Sequence, residues 1–172
     1  MDDAPQRQEP DAGEGGAGAP PGVNEANRLP DEATREYASH DIRVQWFASR
    51  CIHSAACIRA LPVVFDPRRR PWIDVNAAGA DAIATAVMLC PTGALHFTRR
   101  ETDSHQQAPA TVTVRAVSKG PYIVTGRVSV TDAIGNVIRE DTRMALCRCG
   151  QSKHLPFCDN THRAIGFRSE IP

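Results

Sequence analysis

The chain has 172 residues, with 20 basic and 20 acidic side chains and six cysteines, a length that allows one ordinary domain or two very small ones. Electroneutrality argues against nucleic acid held through its phosphates, because that mode needs a basic excess or a dense basic face and Arg68-Arg69-Arg70 is the only basic run. No apolar run approaches the ~20 residues of a bilayer-spanning helix, and no basic-then-apolar signal segment precedes the cysteines. The expectation is therefore a protein of the reducing cytoplasm without a membrane partner, whose thiols serve metal rather than disulfides.

Residues 1–36 read as a disordered tail. Val23 and Leu29 are the large apolar residues of its first 30 positions after Met1, too few to offset the entropy of ordering. Residues 31–39 carry a weak helical pattern with Asp31 as its cap. Ile42-Arg43-Val44-Gln45-Trp46 alternates apolar and polar residues of β-favouring type and predicts a strand. A loop with Cys51, His53 and Ser54 follows, then a short Ala-rich helix with Cys57. A hairpin is expected from Val63-Val64-Phe65 to Pro71-Trp72-Ile73 around Asp66-Pro67. The Arg68–Arg70 triplet reads as a solvated turn, with docking to an acidic redox partner as the second reading. Asp74 or Asn76 is the expected cap of a helix running from Ala80 to Leu89, with Ile83, Val87 and Met88 on one stripe. Cys90-Pro91 stops it, and Leu95-His96-Phe97 predicts a return strand.

Taken singly, Cys57 would be a small buried hydrophobe, but Cys51 and Cys90-Pro91 stand in register with it. This order resembles a bacterial-type mono-cluster ferredoxin, whose ligands run C-x2-C-x2-C with a distant Cys-Pro. The phrase Cys51-x-His53-Ser54-x-x-Cys57, with the later Cys90-Pro91-x-Gly93-Ala94-Leu95, is similar in particular to the divergent 4Fe-4S mono-cluster family. The resemblance implies cluster ligands at Cys51, Cys57 and Cys90. Ser54 departs from the pattern by standing where the second thiolate would be. Three thiolates can hold a 3Fe-4S cluster, or a 4Fe-4S cluster whose fourth iron takes a serine oxygen, an imidazole or water. His53 reads as a solvent-facing or supporting group, and His40, His96 and His105 as ordinary surface histidines.

Residues 101–110 form a polar linker, placing one module at 37–100 and a second at 111–172. In the second, Thr111-Val112-Thr113-Val114 alternates, Tyr122-Ile123-Val124 follows a Gly120-Pro121 turn, and Gly126 interrupts the run before Arg127-Val128-Ser129-Val130. A turn at Ala133–Asn136 and a strand through Thr142–Leu146 lead into Cys147-x-Cys149-x2-Ser152-x3-Pro156-x-Cys158-Asp159-Asn160-Thr161-His162. Three thiols and an imidazole in sixteen residues can bind a zinc ion or an iron-sulfur cluster. Structural zinc sites usually use C-x2-4-C, whereas the C-x-C pair here suits one iron of a dinuclear centre. Cys158 and His162, four apart at a helix start, suit the other.

This run is similar to the signature of the CDGSH iron-sulfur family, the mitoNEET-type proteins. Position by position, the resemblance implies a 2Fe-2S cluster on Cys147, Cys149, Cys158 and His162, with Ser152, Pro156 and Asp159 shaping the loop. The one departing letter is Asn160 in place of Gly, and Asn is the residue that best tolerates positive φ after Gly. His154 reads as an exposed loop residue. One such motif per chain is compatible with a homodimer.

The expected fold class is α+β: a ferredoxin-like N-terminal module and a β-rich C-terminal module, each small enough for a metal staple to matter. The sequence carries no nucleophile triad, phosphate loop or paired carboxylates, so no enzymatic activity is expected. Electron transfer with a redox partner protein is the first functional reading. Cluster carriage to an apo-protein acceptor, or redox or pH sensing at the His-ligated cluster, is the second, and a zinc-stabilised interaction module is the third.

Overall fold

The structure is a computed structural model and describes residues 34–99 and 106–169. The expectation of disorder for residues 1–33, and His105, lie outside the described residues. The fold is α+β, with two antiparallel sheets of three strands, ordered β1-β2-β3 and β4-β5-β6.

In the first half, β1 (Thr34–Ala38) pairs with β2 (Ile42–Phe47), and β2 pairs with β3 (Leu95–Arg99). The alternation read from the sequence is what buries Ile42 and Val44 and leaves Arg43 in water. Strand β1 corrects two expectations at once. Residues 34–38 are extended rather than helical, and order begins before position 37, because Tyr37 packs on the core opposite Val44 and this pairing overrides a weak helical pattern.

The short helix α1 (Ala56–Ala60) carries Cys57, and α2 (Ala80–Met88) packs against β3. Helix α2 buries Ile83, Ala84, Ala86 and Val87. Its N-cap is Gly79, without a side-chain cap, so neither Asp74 nor Asn76 performs the expected role; Asp74 instead accepts from the backbone N–H of Asn76 at 3.0 Å and closes the preceding turn. The expected hairpin reduces to a single bridge between Phe65 and Ile73.

The Arg68–Arg70 triplet is folded onto that turn. Arg68 pairs with Asp66 at 3.0 Å, Arg69 donates to the Val63 and Val64 carbonyls, and Arg70 donates to the Pro67 carbonyl. Phe65, Ile73, Ile83, Val64, Val87 and Leu95 are fully buried, each worth about 1.5–3 kcal/mol in transfer terms. Trp46 and Trp72 meet edge-on at 5.0 Å beside this core.

The second half is a meander of β4 (Thr113–Ala116), β5 (Tyr122–Thr131) and β6 (Val137–Leu146). Gly126 does not end β5, as expected from sequence, but forms an irregularity within it: pairing shifts between Thr125 and Val128, and Gly126 adopts φ +113 with the Val112 Cα 2.8 Å from where a Cβ would sit. Only glycine meets both demands. After β6 the chain loops through Ser152 and Phe157 to α3 (Thr161–Ala164).

The two halves are docked through one face of β6. Period-two alternation puts Arg139, Asp141, Arg143 and Ala145 on the same face, and that face meets the first sheet. Arg143 is 3% exposed and donates to the carbonyls of Val87 and Leu95, the latter at 2.7 Å, and to the Gln106 side chain at 2.7 Å. Asp141 accepts from Arg139 at 2.8 Å and from Arg50 at 3.3 Å. His96 Nε2 stands 3.3 Å from the same carboxylate, at ion-pair distance without hydrogen-bond alignment. His96 is therefore an interface residue and not the ordinary surface histidine expected, whereas His40 is exposed beside Asp41. Gly93, at φ +64, lets the chain pass 2.8 Å from the Arg143 carbonyl measured from where a Cβ would sit.

Candidate metal centres

The first candidate centre lies on the rim of the first core. Cys51 follows a 3-10 turn over Ala48–Arg50, Cys57 sits in the first turn of α1, and Cys90 directly follows α2, whose Val87 carbonyl accepts from the Cys90 N–H at 3.0 Å. The fold brings all three to one partly open recess, whose atom-free space out to the mouth is about 320 Å³. Ser54, Trp46 and Trp72 also line it.

Ser54 thus stands in the recess where the ferredoxin pattern has its second thiolate, with its Oγ accepting from the Ala56 N–H at 3.4 Å. His53 is exposed and outside the lining. The backbone is wound tightly here, with His53 at φ 52 and Ala55 at φ 57, a left-handed conformation that non-glycine residues adopt at some cost.

Burial pushes the Cys51 thiol up, and Cys57 is pushed up to about 11, chiefly by burial and next by the charge of Cys90. A cationic group bound in this recess would relieve both effects, so thiol deprotonation and metal uptake would be coupled.

The second candidate centre is a loop fixed by hydrogen bonds. Cys147 N–H donates to the Pro156 carbonyl at 2.8 Å and Cys158 N–H to the Ala145 carbonyl at 2.8 Å, pinning both ends of the loop to the end of β6. Buried Ser152 donates to the Phe157 carbonyl at 2.7 Å and accepts from the His154 N–H at 3.0 Å. Asp159 accepts from the backbone of Lys153 and Thr161, each at 2.9 Å. These contacts outweigh desolvation and hold its carboxyl well below the usual range. Asn160 takes φ 77 at the start of α3, the conformation expected of a residue in glycine's place.

The four donors fall into two pairs. Cys147 Sγ and Cys149 Sγ are 3.7 Å apart, and Cys158 Sγ and His162 Nδ1 are 3.3 Å apart. Two thiolates on one tetrahedral ion with bonds of about 2.3 Å stand about 3.8 Å apart, and a thiolate and an imidazole nitrogen about 3.5 Å. Each pair therefore fits one metal ion. Among the described residues no group of three or more His, Cys, Asp or Glu side chains is gathered tightly enough to hold a single ion, and this is true of the three cysteines of the first recess as well.

Burial pushes the Cys158 thiol up and the His162 ring down, which keeps the imidazole neutral and able to ligate. Cys147 goes the other way. Desolvation raises it, but donors from the Ser152 backbone, the Cys149 thiol and the Gly150 and Cys149 backbone bring it below the ordinary thiol value.

One residue of this loop escaped the sequence reading. Arg148, between two ligand candidates, donates to the carbonyls of Gly120 and Val117 at 2.9 Å and lies over the rings of Tyr122 and Phe167. It ties the C-x-C segment to the β4–β5 turn. The two flanking thiols gave no hint of this, because a lone arginine in a polar loop reads as solvated.

Comparison with known proteins places two families along the chain. Residues 119–163 match the family described as iron-binding zinc finger, CDGSH type, and residues 37–100 match the divergent 4Fe-4S mono-cluster family. The chain is also 30% identical over 69 residues to Uncharacterized protein YjdI of Escherichia coli (strain K12), covering 40% of this chain and 91% of that relative. The protein of the same name from Escherichia coli O157:H7 matches equally. Among the described residues no helix is long and apolar enough to cross a membrane. The chain belongs to the divergent 4Fe-4S mono-cluster family through residues 37–100 and joins to it a CDGSH-type iron-binding domain at 119–163, which makes it an iron-sulfur-binding protein.

Proposed function

We propose that the protein is a small electron carrier with two centres: a 4Fe-4S or 3Fe-4S cluster on Cys51, Cys57 and Cys90, and a 2Fe-2S cluster on Cys147, Cys149, Cys158 and His162. The pairing of the second donor set, 3.7 Å between two sulfurs and 3.3 Å between sulfur and ring nitrogen, carries this reading. Bound clusters supply one-electron chemistry. The chain positions the thiols, keeps His162 neutral, and covers the first centre with Trp46 and Trp72. No substrate-transforming role is part of this reading. The partner would be a redox protein of the same compartment, which we take to be the cytoplasm.

A neutral imidazole in place of a thiolate lowers the negative charge on a cluster and raises its potential, the trend of the Rieske centres. The first centre would then be the lower in potential and the second the higher.

A second reading is cluster delivery to an apo-protein acceptor. It is favoured by the exposure of Gly150, Gln151, Lys153, His154 and Leu155 around the second site, with Cys147 and Cys149 only half-buried. Iron and sulfide analysis with electron paramagnetic resonance of anaerobically purified protein tests the cluster assignment, and colourless protein after anaerobic reconstitution overturns it. Stopped-flow oxidation by a one-electron acceptor, set against transfer of iron and sulfide to an apo-ferredoxin, separates the two roles. Transfer faster than oxidation would favour delivery. Ser54→Cys should convert the first centre to a four-thiolate 4Fe-4S form that resists oxygen better.

A further inference from the structure

The two sites are joined by atoms immediately beside their ligands. Ile52, peptide-bonded to Cys51, is 7% exposed and belongs to a buried apolar cluster whose other members, Ile123, Ala145 and Cys158, all come from the second half. A second connection runs through Arg139. Its guanidinium donates to the Thr92 carbonyl at 2.6 Å and lies 5.1 Å over the ring of Phe157, the residue before Cys158. Thr92 Oγ1 is in turn 3.7 Å from Cys90 Sγ.

The framework around these bridges is fixed from both sides. Arg143 binds the Val87 carbonyl that also accepts from the Cys90 N–H, and Ala145, two residues on along β6, accepts from the Cys158 N–H. A single strand therefore braces a ligand of each site, and packed interiors of this kind do not slide.

We propose that the two sites form one internally coupled redox unit, with electrons crossing between them at the apolar cluster of Ile52 and Cys158. This rests on the two-cluster reading above and goes beyond it, because two centres on one chain could equally serve separate partners. A low-potential one-electron donor reduces the site of Cys51, Cys57 and Cys90. With clusters held there, one electron would then pass to the site of Cys147, Cys149, Cys158 and His162, reoxidising the first and reducing the second by one electron each. A one-electron acceptor finally withdraws it. No covalent bond forms or breaks in this transfer.

The outer faces of the chain would then be specialised. The first recess is the entry, and the exposed rim from Gly150 to Leu155 is the exit.

The test uses the full chain, reconstituted anaerobically with iron and sulfide. With both centres paramagnetic, the spectrum should show faster relaxation and broadening of the second centre's signal, absent when it alone is paramagnetic. After a substoichiometric pulse of dithionite, electrons should redistribute between the two visible bands at a rate independent of protein concentration. Ile52→Ala should lose or slow that phase at unchanged iron content, and Ile52→Val should retain it.

If both signals are present at full iron loading but simply add, and redistribution speeds up in proportion to protein concentration, the internal path is overturned and the two-cluster reading stands. Unchanged redistribution in a fully loaded Ile52→Ala protein removes Ile52 from the path and overturns the proposal as stated. Iron and sulfide sufficient for only one centre remove the two-cluster reading, and the coupling with it.

Discussion

The two candidate centres are assembled on opposite physical terms. The first is a recess in the edge of a true hydrophobic core, where Cys90 is itself a core residue and Cys51 and Cys57 pack against it, so burial pushes the Cys51 and Cys57 thiols up. The second has little apolar mass. It is a loop held by backbone and Ser152 and Asp159 hydrogen bonds; burial raises Cys158 here too, but the same kind of contact pulls Cys147 down. A core-edge site gains its metal affinity from relief of repulsion in a dry setting and should resist solvent. A loop site gains it from preset geometry at the surface and should exchange more readily.

The comparison is broken most completely by removing one ligand from each site. Cys90→Ala should abolish the visible and paramagnetic signals of the first centre and leave those of the second, and Cys158→Ala should do the converse. Iron content per chain and the visible spectrum check this. Loss of both signals in either variant would mean that the sites do not assemble independently.

Asp141→Asn attacks the docking face that both sites share. It leaves Arg50 and Arg139 without their carboxylate in a site where the Asp141 side chain is 1% exposed, and should cost about 3 kcal/mol in thermal or denaturant unfolding. The same residue makes an acid prediction. Burial opposes ionisation, but His96 and Arg139 more than compensate and lower its carboxyl to about 2. An acid depressed in the folded state stabilises above its unfolded pKa of ~3.9 and loses that contribution as pH falls toward ~2. Asp141 should therefore contribute a loss of about 2 kcal/mol across that window, and Asp141→Asn should show an acid slope smaller by that amount, with the share of other depressed acids such as Asp159 left in place.

A smaller and more specific contrast is acid lability. Burial depresses the His162 ring, so the neutral form is favoured and protons compete with metal only as pH falls below the free-ring value of ~6.5. Bleaching of the second centre should accelerate below about pH 6 while the first persists, and His162→Cys should slow it. Superimposable decay of wild type and His162→Cys would remove His162 from the ligand set.

The smallest effect is expected from Ser152→Ala. It deletes a buried hydroxyl bonded to the Phe157 carbonyl and the His154 N–H and should cost about 1–2 kcal/mol in stability. It should also speed metal loss from the second centre alone, read as chelator-induced bleaching.

The candidate donors of the second site are local in the sequence and were legible there. The C-terminal donors lie within sixteen residues, their spacing sets which pairs can share an ion, and Asn160 declared the left-handed turn that the structure places at φ 77. Cys51, Cys57 and Cys90, singled out together by the mono-cluster resemblance, line one partly open recess. Strands β2, β3 and β6 and helix α2 followed from periodicity, because a half-buried element writes its burial into every second or fourth residue.

What the sequence could not decide is what each face meets. Arg139, Asp141 and Arg143 alternate along β6 like a solvated edge, and His96 stood as a surface histidine, yet Asp141 and Arg143 are buried and His96 sits 3.3 Å from the Asp141 carboxylate. Periodicity fixes that they share a side. Only the packed structure supplies the carbonyls of Val87, Thr92 and Leu95 that satisfy those charges, because the partners of a buried charge lie some fifty residues away in the chain and leave no mark in its neighbourhood. The same holds for Ile52, an ordinary apolar residue beside a cysteine in sequence, which tertiary packing sets against Ile123, Ala145 and Cys158 of the other half.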